Sequence, residues 1–131
     1  MIGLDTNIVL RYLLQDDPIQ TGKVNRIIDR LSPDDPGYIS IATTLEIVWV
    51  LRSLFKLSST QIATHIEQLL AADAFELQNE QQVFEAAFAL KRGLGEFEDA
   101  LIGALNTWAG CSETVTFDRG TSHLPNYRAL G

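Results

Sequence analysis

The strongest constraint on the fold is the way short strand-like runs alternate with helix-length stretches. Met1–Leu4, Tyr38–Ile41, Phe75–Leu77 and the segment "ETVTFD" near the end are each apolar or β-branched and too short for a helix. None is joined to the next by a two-residue hairpin turn. Strands separated by helices form a parallel sheet with helices on both of its faces. Between them, Ile8, Val9, Tyr12 and Leu13 recur at helical spacing after a junction of Asp5, Thr6 and Asn7. Asp16, Asp17 and Pro18 break that helix. Val24, Ile27, Ile28 and Leu31 then predict a second one, ended by "SPDDPG". Further helices are expected over 42–57, over "LSSTQIATHIEQLLAA", over 80–94 and over 98–109, with "GLGEF" separating the last two. The tail to Gly131 has room for a short edge strand.

In sheets of this kind, ligands sit beyond the carboxyl ends of the strands. Asp5 and Asp118 both follow predicted strands, so attention falls on acidic residues. The chain of 131 residues is one domain, 1–131, with no internal repeat or linker, so all of its chemistry must lie there. No apolar run reaches the length of a membrane span, and no basic segment precedes an apolar one at the N-terminus; a cytoplasmic location is the expectation. The single Cys111 has no partner for an internal bridge and reads as a small buried hydrophobe. The net charge of −7 argues against a surface that holds nucleic acid by positive charge alone. Two bound divalent cations, each contributing +2, would bring −7 to −3 and invert the local sign of an acidic site.

Four carboxylates are candidates, and each has an ordinary explanation beside the functional one. Asp5 serves equally well as a helix N-cap. Glu46 is the only charged residue between Tyr38 and Leu51 and shares a helical face with Ala42, Trp49 and Val50, so either that face is solvated or something cationic meets it. Asp99 stands in the first turn of "FEDALIGALNTWA", where any negative charge is favourable. Ala100, Leu101, Ala104, Leu105 and Trp108 mark the expected core stripe of that helix. Gly103 and Asn106, below Asp99, suggest a small and then polar pocket floor, and Glu96 faces the same way if the helix starts early. Asp118 before Arg-Gly is a common turn residue. Convergence would change their meaning. Two carboxylates about 4 Å apart repel by about 4 kcal/mol at an effective dielectric near 20, so a gathered set implies a cation. With oxygen donors only, and with His65 and His123 in no ligand spacing, that cation is Mg²⁺ or Mn²⁺.

"LDTNIVLRYLL", "ATTLEIVWVLRS", "FEDALIGAL" and "TFDRG", in that order and at these separations, resemble the PIN-domain ribonucleases, specifically the VapC-type toxins of toxin-antitoxin pairs. The resemblance implies a three-layer α/β/α sandwich around a central, mostly parallel, short-stranded sheet. It implies catalytic roles for Asp5, Glu46, Asp99 and Asp118, which with Glu96 bind Mg²⁺ or Mn²⁺. The family usually carries Asp where this chain has Glu96. Thr6, Asn7 and Thr116 would support the carboxylates, and Arg11 and Arg119 would meet RNA phosphate. The implied activity is RNA phosphodiester hydrolysis by water activated at the ion, with no nucleophilic side chain. The implied partners are RNA, a cognate antitoxin and a second copy of the chain, the homodimer being built from helices around residues 42–70.

Three rivals compete. A Mg²⁺-binding receiver domain would need a lysine after its last strand, but none lies beyond Lys91. A PIN-like module without catalysis would act by binding RNA or protein. A DNase would keep the chemistry and change the substrate.

Overall fold

A computed structural model describes residues 1–131. Five strands and six α-helices alternate along the chain: β1 (Ile2–Gly3), α1 (Thr6–Leu14), α2 (Pro18–Ile28), β2 (Gly37–Ile39), α3 (Ile41–Ser53), α4 (Ser59–Ala71), β3 (Phe75–Leu77), α5 (Glu80–Lys91), α6 (Phe97–Trp108), β4 (Thr114–Thr116) and β5 (Tyr127–Ala129). Every strand pairing is parallel. β1, β2 and β3 form one ladder in that order, with Gly3 opposite Tyr38 and Ile39 opposite Leu77, while β4 and β5 form a second. The α/β class and the parallel β1–β2–β3 sheet follow from helical crossovers, because parallel neighbours cannot be joined by a tight turn; β4 and β5 are linked by residues 117–126, which hold only a short 3-10 turn. No helix is long and apolar enough to cross a membrane.

Local chemistry sets the helix starts. Asp5 caps α1 by accepting a hydrogen bond from the Thr6 amide at 2.8 Å. Asp17 caps α2, where Pro18 occupies the first turn at no hydrogen-bonding cost. Ser40 accepts from the Thr43 amide, which is why Ile41 begins α3 instead of ending β2 as the apolar pattern suggests. Ser58 and Gln61 exchange side-chain-to-backbone hydrogen bonds in a capping box at the head of α4.

Helix ends depart further from expectation. α3 stops at Ser53, four residues before Leu57, and the chain then turns through Lys56 at φ 56°. α5 stops at Lys91 because Gly93 adopts φ +70°; the Gly93 amide donates to the Leu90 carbonyl at 3.1 Å and the Leu94 amide to the Ala89 carbonyl at 2.9 Å. This is a complete Schellman closure. It turns the chain sharply enough for α6 to start at Phe97 and pack back along α5.

Ile39, Ile47, Val48, Leu51, Ile66 and Leu69 are fully enclosed at the centre of the core. Phe97 joins it at 0% exposure and pins the first turn of α6, a burial contributing about 1.5–3 kcal/mol. Two expectations fail here. Trp108 is 71% exposed, so the buried stripe of α6 is Phe97, Ala100, Leu101 and Gly103. Cys111 is exposed, because it follows the end of α6 in a surface turn.

A β-carbon at Gly93 would meet nothing within 4 Å, so its φ alone constrains the residue. Gly93→Ala is expected to lower stability by about 1–2 kcal/mol through left-handed backbone strain. Chemical denaturation tests this, and an unchanged midpoint would contradict the assignment.

Candidate functional site

The first turn of α6 carries the densest negative charge of the chain. Glu96 is the N-cap residue, and Glu98 and Asp99 follow in the opening turn. Burial of Phe97 on the core side sends its acidic neighbours outward. Asp99 and Glu96 line a cavity of about 570 Å³, and Asp118 reaches its wall from beyond β4. Asp118 is firmly held: its side chain accepts from the Gly120 amide at 2.7 Å, and its own amide donates to the Thr116 hydroxyl at 3.0 Å. Thr116 is thus in hydrogen-bond contact with the backbone of Asp118. The Asp99 carboxyl is pushed above its ordinary value, first by burial and then by the charges of Asp118, Glu98 and Glu96. Its backbone is fixed too, since the Tyr127 hydroxyl donates to the Asp99 carbonyl.

Tyr127 also explains Gly103. A β-carbon there would lie 2.6 Å from the Tyr127 ring, so Gly103 is the seat of that ring and not a pocket floor beneath Asp99. Asn106 likewise does not line a floor; its amide donates to the Thr114 hydroxyl at 3.0 Å and ties α6 to β4.

Glu98 takes a different path from its neighbours. It forms a two-point ion pair with Arg52 of α3, one arm at 3.0 Å, which holds its carboxyl below the ordinary range. Glu96 lies 3.7 Å from the same guanidinium. Glu46 is exposed on the face it shares with Ala42 and Trp49, so that face is solvated. Glu46 borders a separate cleft of about 520 Å³ with Leu45, Trp49, Glu98 and Ile102. Arg52 was missed in the sequence because its partner is 46 positions away; "VLRS" at a helix end reads only as a solvated charge.

Asp5 is exposed two residues beyond β1, just as Asp118 stands two residues beyond β4. It does not line the cavity of Asp99 and is not among the charges that press on Asp99. Thr6 supports Asp5 through its backbone amide, and Asn7 is exposed beside it. Arg11 pairs with Asp16 at 3.0 Å and Arg119 with the Gly131 carbonyl; neither lines the cavity. The structure thus brings Asp99, Asp118 and Glu96 to one cavity and leaves Asp5 and Glu46 outside its lining. No three such side chains are closed around one point as a ready ion cage. In donor chemistry the set fits a hard divalent ion: its ligating groups are carboxylates, with no imidazole or thiolate on the wall.

A family model described as PIN domain matches residues 2–126. The chain belongs to the PIN-domain family. Members are generally nucleases and typically use divalent metals such as Mg²⁺. The matched span contains Asp5, Glu46, Glu96, Asp99 and Asp118, and membership removes the receiver-domain reading. No curated protein matches the chain.

The Arg52–Glu98 pair, with side chains 35% and 32% exposed, supplies a prediction for this PIN domain. Arg52→Met is expected to cost about 1 kcal/mol at pH 7. Because the Glu98 pKa is lowered by folding, this contribution is complete above the unfolded carboxyl range and disappears as pH falls through the lowered value. Parallel stability–pH profiles for variant and parent would contradict it.

Proposed function

We propose that this PIN domain is a divalent-metal-dependent endoribonuclease and the toxin of a toxin-antitoxin pair. The observation that carries the catalytic part is the meeting of Asp99, Asp118 and Glu96 on one cavity wall, from α6 and from the end of β4. Carboxylates placed together in this way cost free energy unless a cation offsets them. Asp99 and Asp118 would hold Mg²⁺ or Mn²⁺ directly, with Glu96 binding it directly or through water. Asp5 and Glu46 are assigned the remaining positions of the set. The symmetry of Asp5 and Asp118, each two residues past a parallel strand, supports including Asp5.

When bound, the ion supplies neutralisation of charge growing on the phosphate and leaving oxygen, and acidifies water at neutral pH. The chain's own residues do the positioning. Thr116 and the Gly120 amide fix Asp118, while Tyr127 and Phe97 fix the turn that presents Asp99. Arg52 draws Glu98 towards α3, leaving Asp99 to face the cavity. No side chain need act as nucleophile.

The homodimer belongs to the same proposal. Trp49 at 51%, Leu54 at 65% and Phe55 at 38% exposure lie on or just after α3, an apolar surface that a second copy would cover. A cognate antitoxin would block the cavity.

Purified protein freed of any partner is expected to cut single-stranded RNA with Mn²⁺ and not with chelator present. Asp99→Asn is expected to lower kcat/KM by at least about 100-fold, in line with loss of a group that stabilises transition-state charge. Gel assays of labelled RNA measure both. Metal-independent cleavage, or full activity in the variant, would overturn the catalytic reading; RNA binding without cleavage would favour the non-catalytic module.

A further inference from the structure

The cavity that Asp99 lines is bordered by groups of different chemistry as well. Ser59 and Thr60, in the first turn of α4, line it, and so does Lys91, the last residue of α5. Lys91 is the only lysine or arginine among its lining residues. The Schellman turn at Gly93 puts it there, since the chain reverses within a few residues and leaves the end of α5 and the start of α6 bordering the same space.

Lys91 is not paired with the carboxylates that share its cavity. Its ammonium pairs with Glu67 of α4 at 3.3 Å, outside the lining, and it is not among the charges that act on Asp99. The Lys91–Glu67 pair is loose, with side chains 50% and 40% exposed. A counter-ion for the acidic wall would sit against Asp99 or Asp118. Lys91 pairs with Glu67 and with neither of them, although it borders the same cavity of about 570 Å³. A lysine whose one ion pair is loose, bordering the same space as a set of carboxylates, suits a ligand that is anionic on one side and metal-bound on the other. A phosphodiester is such a ligand.

Resting on the ribonuclease reading above, we propose that Lys91 binds a backbone phosphate of the RNA at the cavity it shares with Asp99 and Asp118, the role expected from sequence of Arg11 and Arg119. A Lys at a helix C-terminus also interacts favourably with the helix dipole, but that contribution does not depend on RNA. Lys91 contacts phosphate as a point charge, so its effect is independent of base sequence.

The test uses a fluorescein-labelled single-stranded RNA. Affinity is read by anisotropy with Ca²⁺ in place of Mn²⁺ over a range of salt, cleavage with Mn²⁺, and Mn²⁺ affinity by electron paramagnetic resonance. Lys91→Met is expected to weaken RNA binding and kcat/KM about tenfold, and to reduce the slope of log affinity against log salt by about 0.7, the value for one phosphate contact on a single strand. Lys91→Arg is expected to stay within about threefold of the parent, because it keeps the charge. Mn²⁺ affinity is expected to be unchanged in both. A parental salt slope in Lys91→Met overturns the proposal, as does a loss of Mn²⁺ affinity that accounts for its defect. If the parent binds RNA but never cuts it, the nuclease reading fails and the salt slope still decides the role of Lys91. If the parent binds no RNA, both fall.

Discussion

Negative charges that share a cavity wall repel one another, and much of the structure around α6 serves to hold them there. Phe97 buries one side of the first turn in the core. Tyr127 holds the Asp99 carbonyl from β5, with Gly103 cut back to admit its ring. Arg52 takes up Glu98 from α3. Asp118 is fixed by Thr116 and the Gly120 amide. Each contact restricts a carboxylate or the backbone beneath it, and none supplies a cation directly to Asp99. The raised Asp99 carboxyl is the electrostatic result of placing it against Asp118, Glu98 and Glu96 in a partly dry setting.

The α5–α6 reversal gives this acidic turn its surroundings. A left-handed residue at Gly93 ends α5 without exposing its last carbonyls unpaired, and Gly95 stays small because Leu124 packs where its β-carbon would be. One turn thereby borders the cavity with Lys91 on one side and with Glu96 and Asp99 on the other. The charge pattern of "LKRGLGEFEDA" becomes a spatial division: basic at the end of one helix, acidic at the start of the next. Both placements also agree with the dipoles of their own helices. Local stability and the proposed site for an anionic, metal-bound substrate would therefore ask for the same residues.

Much of this was legible in the sequence. Alternation of short apolar runs with helical periods fixed the α/β class, and Phe75–Leu77 was read to the residue. Helix ends were harder, because the apolar pattern runs on past the point where a cap takes over, as at Ser40 and Gly93. For the site, Asp5, Glu46, Asp99 and Asp118 were expected together with Glu96; Glu96, Asp99 and Asp118 line one cavity, and Asp5 and Glu46 do not. What remained hidden was set by contacts distant in sequence. Trp108 matched the helical stripe but projects beyond the core, and Gly103 and Asn106 suited a pocket floor until β4 and β5 were seen to occupy that side. Arg52 and Lys91 carry no local signal, since their meaning depends on which helix lies opposite.

The placement of an ion in this cavity is open to direct observation by anomalous diffraction from crystals soaked in Mn²⁺. A peak about 2.1 Å from carboxylate oxygens of both Asp99 and Asp118 is the expected result, with the position of the Asp5 side chain showing whether it joins them. Saturating Mn²⁺ that leaves the Asp99–Asp118 wall without a peak would contradict a metal centre there.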